Sequence, residues 1–136
     1  KVPNVFSAPG QWLSETGYGN LHAHYAAAPF VLMPDEALLI EGELPQCRFA
    51  NLVLWNRYMQ TFDYTRRQVS VNRAQMALDA NGSYRLVLAH RDPGLPNWLD
   101  TEGRVSVIMY WRFLLPTGTV PTPRARVVKF AEIAKA

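Results

Sequence analysis

Cysteine is almost missing from this chain, and its scarcity excludes several chemistries at once. Cys47 is the only cysteine among 136 residues, so no intrachain disulfide forms and no thiolate cluster can hold a metal within one chain. Such a sequence is compatible with a reducing compartment and leans towards the cytoplasm. Long apolar runs are missing too. The longest, 25–33 and 105–111, are interrupted by Pro29 and Ser106, and both fall far short of the roughly 20 residues of a membrane-crossing helix. No membrane span is expected. Nor is there a block of one charge: the formal net charge of +3 comes from scattered arginines, without the basic stripe of a nucleic-acid surface. The opening residues, Lys1 to Gly10, have neither an initiator Met nor a charged head followed by an apolar core. They are not a secretory leader, and they read as a cut start, which makes the chain a fragment of a longer protein in expectation.

What the chain does contain is apolar and aromatic surface. Hydrophobic residues make up 49%, aromatic residues 12% and charged residues only 18%. That balance suits one domain with a real core and excludes a disordered segment. It also leaves apolar surface in contact with something.

Proline and glycine punctuate the sequence unevenly. In residues 1–29, Pro3, Pro9, Gly10, Gly17, Gly19 and Pro29 point to a loop-rich N-terminal arm. From Phe30 onward, short runs of Val, Leu, Ile and aromatics alternate with turn formers, which predicts a single all-β domain over 30–136. The expected fold is an antiparallel β-sandwich, jelly-roll-like, with a short C-terminal helix or tail. Strands are expected at 30–33, 36–44, 48–56, 84–90, 104–113 and 126–130. The strand 104–113 alternates most cleanly, with Val105, Val107, Met109, Trp111 and Phe113 on the core side. Asp79-Ala80-Asn81-Gly82-Ser83 is a tight-turn signal. The 62–78 stretch has little period and reads as a loop with a short strand at 68–71 or a helical turn near 73–78.

Candidate chemistry is sparse. His22-Ala23-His24 is the most metal-like feature, because alternation points both imidazoles to one side, as in the two-ligand pair of cupin-type jelly rolls. His90 is the candidate third ligand. A cupin's carboxylate follows its pair within a few residues, whereas Asp35 and Glu36 come much later, and three unconnected histidines are the bland alternative. Glu41 and Glu43 lie about 7 Å apart on one strand and face the same way. They suit acid–base work only if another element encloses a substrate, and a solvated strand edge otherwise. The arginines Arg48, Arg57, Arg66, Arg67, Arg73, Arg85, Arg91, Arg104 and Arg112 match carboxylates or phosphates bidentately, in an internal ion-pair network with Asp63, Asp79, Asp92, Asp100 and Glu102 or, alternatively, in an anion-binding pocket. Trp55 and Trp111 lie in apolar runs and read as core, whereas Trp98 sits on a polar loop. Cys47, Ser70 and Ser106 have no nucleophile motif around them, and Gly17-Tyr18-Gly19 is too short for a nucleotide fingerprint. No motif implies a cofactor.

The loop from His90 to Arg104 is the most informative stretch, with turn formers, an amide, an indole and carboxylates between two strands. Together with Pro34-Asp35-Glu36-Ala37-Leu38, Ile40-Glu41-Gly42, 45–51, Leu54-Trp55-Asn56, Gln60-Thr61 and Asp63-Tyr64, its Asp92-Pro93-Gly94 and Pro96-Asn97-Trp98-Leu99-Asp100 segments resemble the bacterial domain-of-unknown-function family numbered twelve-fourteen, over roughly 30–130. The resemblance implies a β-rich, jelly-roll-like domain forming the C-terminal part of a longer chain, with no assigned reaction. It marks Asp92, Gly94, Asn97 and Trp98 in the loop, and Trp55 and Asn56 at a strand end, without roles. It does not include His22 and His24.

Three functions follow as expectations. The first is a binding or accessory module for a small polar or carbohydrate-like ligand, or for its parent protein, using Trp55, Asn56, Arg91, Asp92, Asn97, Trp98, Asp100 and Arg104. The second is an enzyme domain, metal-dependent through His22, His24 and His90 or carboxylate-based through Glu41, Asp92 and Asp100. The third is a structural module, interdomain or homo-oligomeric, whose apolar surface a partner covers. Within the loop, Trp98 either offers an apolar face to a ligand or plugs the end of the sandwich.

Overall fold

The computed structural model describes residues 2–12 and 19–135. Gly17, part of the expected arm and of the Gly17-Tyr18-Gly19 stretch, lies outside them, as does Ala136. The chain forms β1 (Ala23–Val31), β2 (Glu36–Glu43), β3 (Phe49–Trp55), β4 (Ser70–Asn72), β5 (Ser83–Ala89), β6 (Trp98–Asp100), β7 (Ser106–Leu114) and β8 (Arg124–Lys129), followed by a 3-10 helix, Phe130–Lys135. The strands make two four-stranded sheets, β1-β7-β3-β4 and β6-β5-β2-β8. This is the all-β sandwich that the short alternating runs predict.

The core lies between the sheets. Phe30 of β1, Leu52 and Leu54 of β3, and Met109, Trp111 and Phe113 of β7 face Leu38 and Ile40 of β2 and Tyr84, Leu86 and Leu88 of β5, nearly all of them fully buried. Each is separated from the next on its strand by one residue, so period-two alternation selects the inner face. Trp111 stacks on Phe113, ring centroids 5.1 Å apart, and Tyr84 lies 5.1 Å from Trp111 across the core.

Two expectations change. The first concerns the arm, since 23–29 belongs to β1, paired antiparallel with β7 from Ala23↔Leu114 to Val31↔Ser106. Its alanines carry little strand propensity, and the pairing partner decides. The residues before it run along β1's free edge: Asn4 N–H donates to the Pro29 carbonyl, Ser7 N–H to Ala27, and Gly10 exchanges two hydrogen bonds with Tyr25. Pro29, which has no N–H to offer, is tolerated at such an edge. The second change is that β5 and β6 pair in parallel, Val87↔Trp98 to Ala89↔Asp100, so the second sheet is mixed.

In the stretch 62–78, where the sequence predicts a short strand at 68–71 or a helical turn, the structure has the strand β4 at Ser70–Asn72 and a turn after it in which Asn72 Oδ1 accepts the N–H groups of Ala74 and Gln75. The stretch also ties the sheets together. The Gln68 carbonyl accepts from Asp100 N–H at the edge of the second sheet, and the next carbonyl, Val69, accepts from Leu54 N–H in the first. The opposite edge strand, β8, carries Arg124, Arg126 and Lys129, charges that discourage strand addition. No helix is long and apolar enough to cross a membrane.

Candidate functional site

The outer face of the second sheet carries the candidate site. Beyond the core, Ala37 and Leu39 of β2 and Val87 and Ala89 of β5 form an apolar strip that Ile133 and Phe130 of the 3-10 helix, Leu95 of the loop before β6 and Trp98 of β6 partly cover. The cover is incomplete. A cleft of about 370 Å³ remains, with Val87, Leu95 and Ile133 as its apolar lining and Asp79, Arg85 and Asn97 as its polar groups. A second hollow of about 240 Å³, lined by Glu41, Glu43, Asn81 and Arg124 among others, shares Asp79 and Arg85 with the first. The two lie side by side across Asp79 and Arg85, one more apolar and the other charged, and are together called the groove.

Its charged groups are held in place. Arg85 donates to Glu41 Oε1 from Nε at 2.9 Å and from Nη2 at 2.8 Å, a cross-strand pair set by the Glu41↔Arg85 register. Arg126 approaches the other Glu41 oxygen at 4.0 Å. Asp79 Oδ2 accepts the Ser83 hydroxyl at 3.2 Å, and Asn81 Oδ1 accepts the same hydroxyl at 2.6 Å, so the Asp79–Ser83 turn is braced from within. Glu41 and Glu43 therefore differ: one is paired across the strand, and the other is exposed at the hollow's rim.

Of the residues expected to bind, Asn97 lines this groove, but its amide is engaged. Oδ1 accepts Ala77 N–H at 2.8 Å, and Nδ2 donates to the carbonyls of Ala77 at 2.8 Å and Arg85 at 3.0 Å. Asn97 also holds φ at +60°, a left-handed conformation that asparagine tolerates better than most residues. Trp98 is neither an open platform nor an end plug. It is half-buried on the outer sheet face, its indole N–H donating to the Ala89 carbonyl at 3.2 Å. Arg91 lays its guanidinium 3.9 Å from the Phe130 ring centroid, pinning the 3-10 helix, and Asp92 Oδ1 accepts Gly94 N–H to close the loop's turn.

The remaining candidates stand elsewhere. Asp100 is buried and held at 2.7 Å by Arg67 Nη1, while its other oxygen accepts Glu102 N–H. That hydrogen bond raises the affinity of Arg67 for its proton above the usual value. Arg104 sits 4.8 Å over the Phe62 ring and 3.4 Å from Glu102. Trp55, read as core, faces outward from the first sheet and stacks on Tyr110 at 4.2 Å; Trp12 and Tyr25 complete the cluster, each within 5.4 Å of the Tyr110 centroid. Asn56 spends its carbonyl on the N–H groups of Tyr58 and Gln60.

The metal trio is dispersed. His22 and His24 stand at the start of β1, whereas His90 Nε2 contacts the Leu32 carbonyl beyond its end, at 3.2 Å, about 25 Å away by strand rise. His90 Nδ1 meets the Thr101 hydroxyl at 2.6 Å. A carbonyl only accepts, so Nε2 is the donor to Leu32, while the Thr101 hydroxyl that faces Nδ1 also reaches the Ala89 carbonyl at 3.3 Å. Among the described residues, no group of three or more His, Cys, Asp or Glu side chains is arranged to hold a metal. The carboxylate trio is also split, with Glu41 in the groove, Asp92 in its turn and Asp100 paired with Arg67. Cys47, half-buried near Arg73, has its thiol pushed up by burial, away from nucleophilic use.

No family model matches the chain, and no curated protein does. Solved structures do. An uncharacterised protein from Burkholderia cenocepacia superposes with a TM-score of 0.86 at 33% identity, over 94% of this chain and 36% of its own. A Vibrio parahaemolyticus protein superposes with a TM-score of 0.68 at 16% identity, over 87% of this chain and 33% of its own. This chain shares its fold with both. It spans about a third of the length of either.

The groove residues Asp79, Arg85 and Arg124 were not singled out as a site by sequence reasoning. The available signal was the Asp79–Ser83 turn beside a charged strand pair, but only sheet pairing brings Glu41 to Arg85 and the C-terminal helix to Val87.

Proposed function

We propose that the domain is an accessory binding module whose outer-face groove takes a small, neutral, hydroxyl-rich ligand of carbohydrate type. The observation that carries this reading is the sharing of Asp79 and Arg85 by an apolar cleft and a charged hollow. A cleft of about 370 Å³ falls within the roughly 300–1,000 Å³ of small-molecule sites. Sugar hydroxyls both donate and accept, and the groove offers both: carboxylates at Asp79, Glu41 and Glu43, guanidinium groups at Arg85 and Arg124. With more carboxylates than guanidiniums, and with Arg85 already bonded to Glu41, the groove does not favour an anion. The apolar lining at Val87, Leu95 and Ile133 suits the C–H face of a sugar ring. Membership of the family numbered twelve-fourteen is part of the same proposal and rests on the residues quoted for it.

Titration of the labelled protein with neutral mono- and disaccharides, followed by amide chemical shifts, tests the reading. Shifts confined to 77–85, 95–97 and 133–134, lost in Asp79→Ala, support it. Shifts elsewhere, or none at millimolar sugar, overturn it.

A further inference from the structure

Six of the exposed large apolar side chains among the described residues lie at one end of the sandwich, against Leu21, Phe49 and Leu115 at the other. Among the described residues, Val2, Met33, Tyr58, Met59, Tyr64 and Val105 are 67%, 49%, 66%, 68%, 72% and 42% exposed. Strand register brings them to the same end. β1 finishes there at Val31 opposite Ser106, and β3 finishes there at Trp55 opposite Ile108. Leu32 N–H donates to the Val105 carbonyl, which sets Met33 beside Val105. Tyr58 and Met59 form the tip of the turn that leaves Trp55 and returns to it at Thr61. Asp63 N–H donates to Glu102 Oε1, which brings Tyr64 to the segment leading into β7.

What distinguishes this end is the kind of side chain it carries. Tyrosine, methionine and arginine are the side chains that interface cores favour, and Arg57 lies 4.9 Å over the Tyr58 ring. The arm also starts here, because the Asn4 side chain bonds both the N–H and the carbonyl of Val31. Polypeptide joined ahead of Val2 therefore enters the domain at this end. The solved chains of the same fold have about two-thirds of their length outside the matched part, enough for a covering domain.

We infer that this end is an interdomain docking surface, and that its occupant is the remainder of a longer parent polypeptide, joined through the N-terminal arm. The contact belongs to the modest class of intrachain domain interfaces, about 600–1,500 Å². It is independent of the groove, which lies on the outer face of the second sheet.

Amide hydrogen exchange compares the parent polypeptide with residues 1–136 alone. Segments 56–66 and 31–35 should exchange at least tenfold more slowly in the parent, while β8 exchanges equally in both. Tyr58→Asp combined with Met59→Asp should abolish that protection in the parent. Both side chains are exposed and Met59 holds φ at +60°, a conformation that Asp accepts, so the melting temperature of residues 1–136 should not fall. Equal exchange in both forms overturns the inference, as does a mature protein consisting of these 136 residues alone. Protection that appears in residues 1–136 only as a dimer by mass would assign the end to a second copy instead, and would overturn it too.

Discussion

The side-chain amide of Asn97 pairs with the backbone of Ala77 through both of its polar atoms, at 2.8 Å each, in the manner of a second peptide group. Ala77 lies outside every strand, so its backbone polar groups are open to this pairing. The pair, with the third bond to Arg85, moors the segment before β5 to the loop before β6 and so shapes the cleft between them. Asn97→Ala removes three hydrogen bonds and puts alanine at positive φ, which should cost about 2–4 kcal/mol. Urea unfolding measures it. A loss below ~1 kcal/mol would show that Asn97 is free to serve a ligand.

His90 clamps the two sheets together. Its ring connects Leu32, just beyond β1, to Thr101, just beyond β6. His90→Ala should destabilise the fold by about 1–3 kcal/mol, the usual range when a buried polar partner is removed. Added zinc should leave the melting temperatures of both proteins unshifted. A zinc-dependent rise in the parent that the variant lacks would restore the metal reading.

Gly42 is required by its neighbour. A β-carbon there would lie 2.5 Å from Tyr84 Oη, and Tyr84 is buried against Trp111. Gly42→Ala should cost about 1–3 kcal/mol through overpacking. The double change Gly42→Ala with Tyr84→Phe should recover part of the loss, because the hydroxyl is the nearest atom. Denaturation midpoints of the set decide it, and an equal loss in both backgrounds would refute the steric origin.

Tyr110 should give the fold an alkaline sensitivity. Burial first, and the nearby Tyr25 second, push its hydroxyl up to about 12 from an ordinary 10, against the pull of Arg112. A raised folded value means that the unfolded chain gives up this proton first. The stability contributed by Tyr110 is therefore fully present below about pH 10 and is lost as pH rises towards about 12. Tyr110→Phe keeps the stack on Trp55 and should flatten that decline. Unfolding measured across the alkaline range shows whether the two curves diverge there, and parallel curves would reject the assignment.

The exposed pair Asp35–Lys129, Nζ to Oδ2 at 2.8 Å, offers an acid-range counterpart. The Lys129 hydrogen bond holds the Asp35 carboxyl below its usual value. Lys129→Met should raise it, as carbon-detected titration would report. The lowered value means that this contribution is present above the ordinary aspartate range and disappears as pH falls through the folded value. An unchanged titration in Lys129→Met would show that the contact does not persist in solution.

Alternation along 104–113 determined the inner face of β7 from Val107 to Phe113, because a strand places successive side chains on opposite sides whatever its partner, but it also assigned Val105 to the core, and Val105 lies before the strand and is exposed. The Asp79–Ser83 turn was legible from its Asn and Gly, whereas the C-terminal segment read only as a short helix or tail, and docking decided for a 3-10 helix. Alternation does not say which outer faces will be covered, and so Trp55 read as core although it stacks outside the first sheet. Trp98 read as a site or a plug although it packs on the outer face of the second sheet, in the same apolar cluster as Phe130 and Ile133. Nor do local rules reveal that Ala23–Val31 pairs with a strand more than seventy positions later, or that β6 returns parallel to β5. Composition and periodicity decided the class of fold, the burial of its alternating residues and the absence of a disulfide. Long-range pairing decided the groove at Asp79 and Arg85, the dispersal of the histidines and the apolar end at Tyr58 and Met59. The physical reason is that strand pairing is a contact between distant segments, and its free energy appears only when both are present.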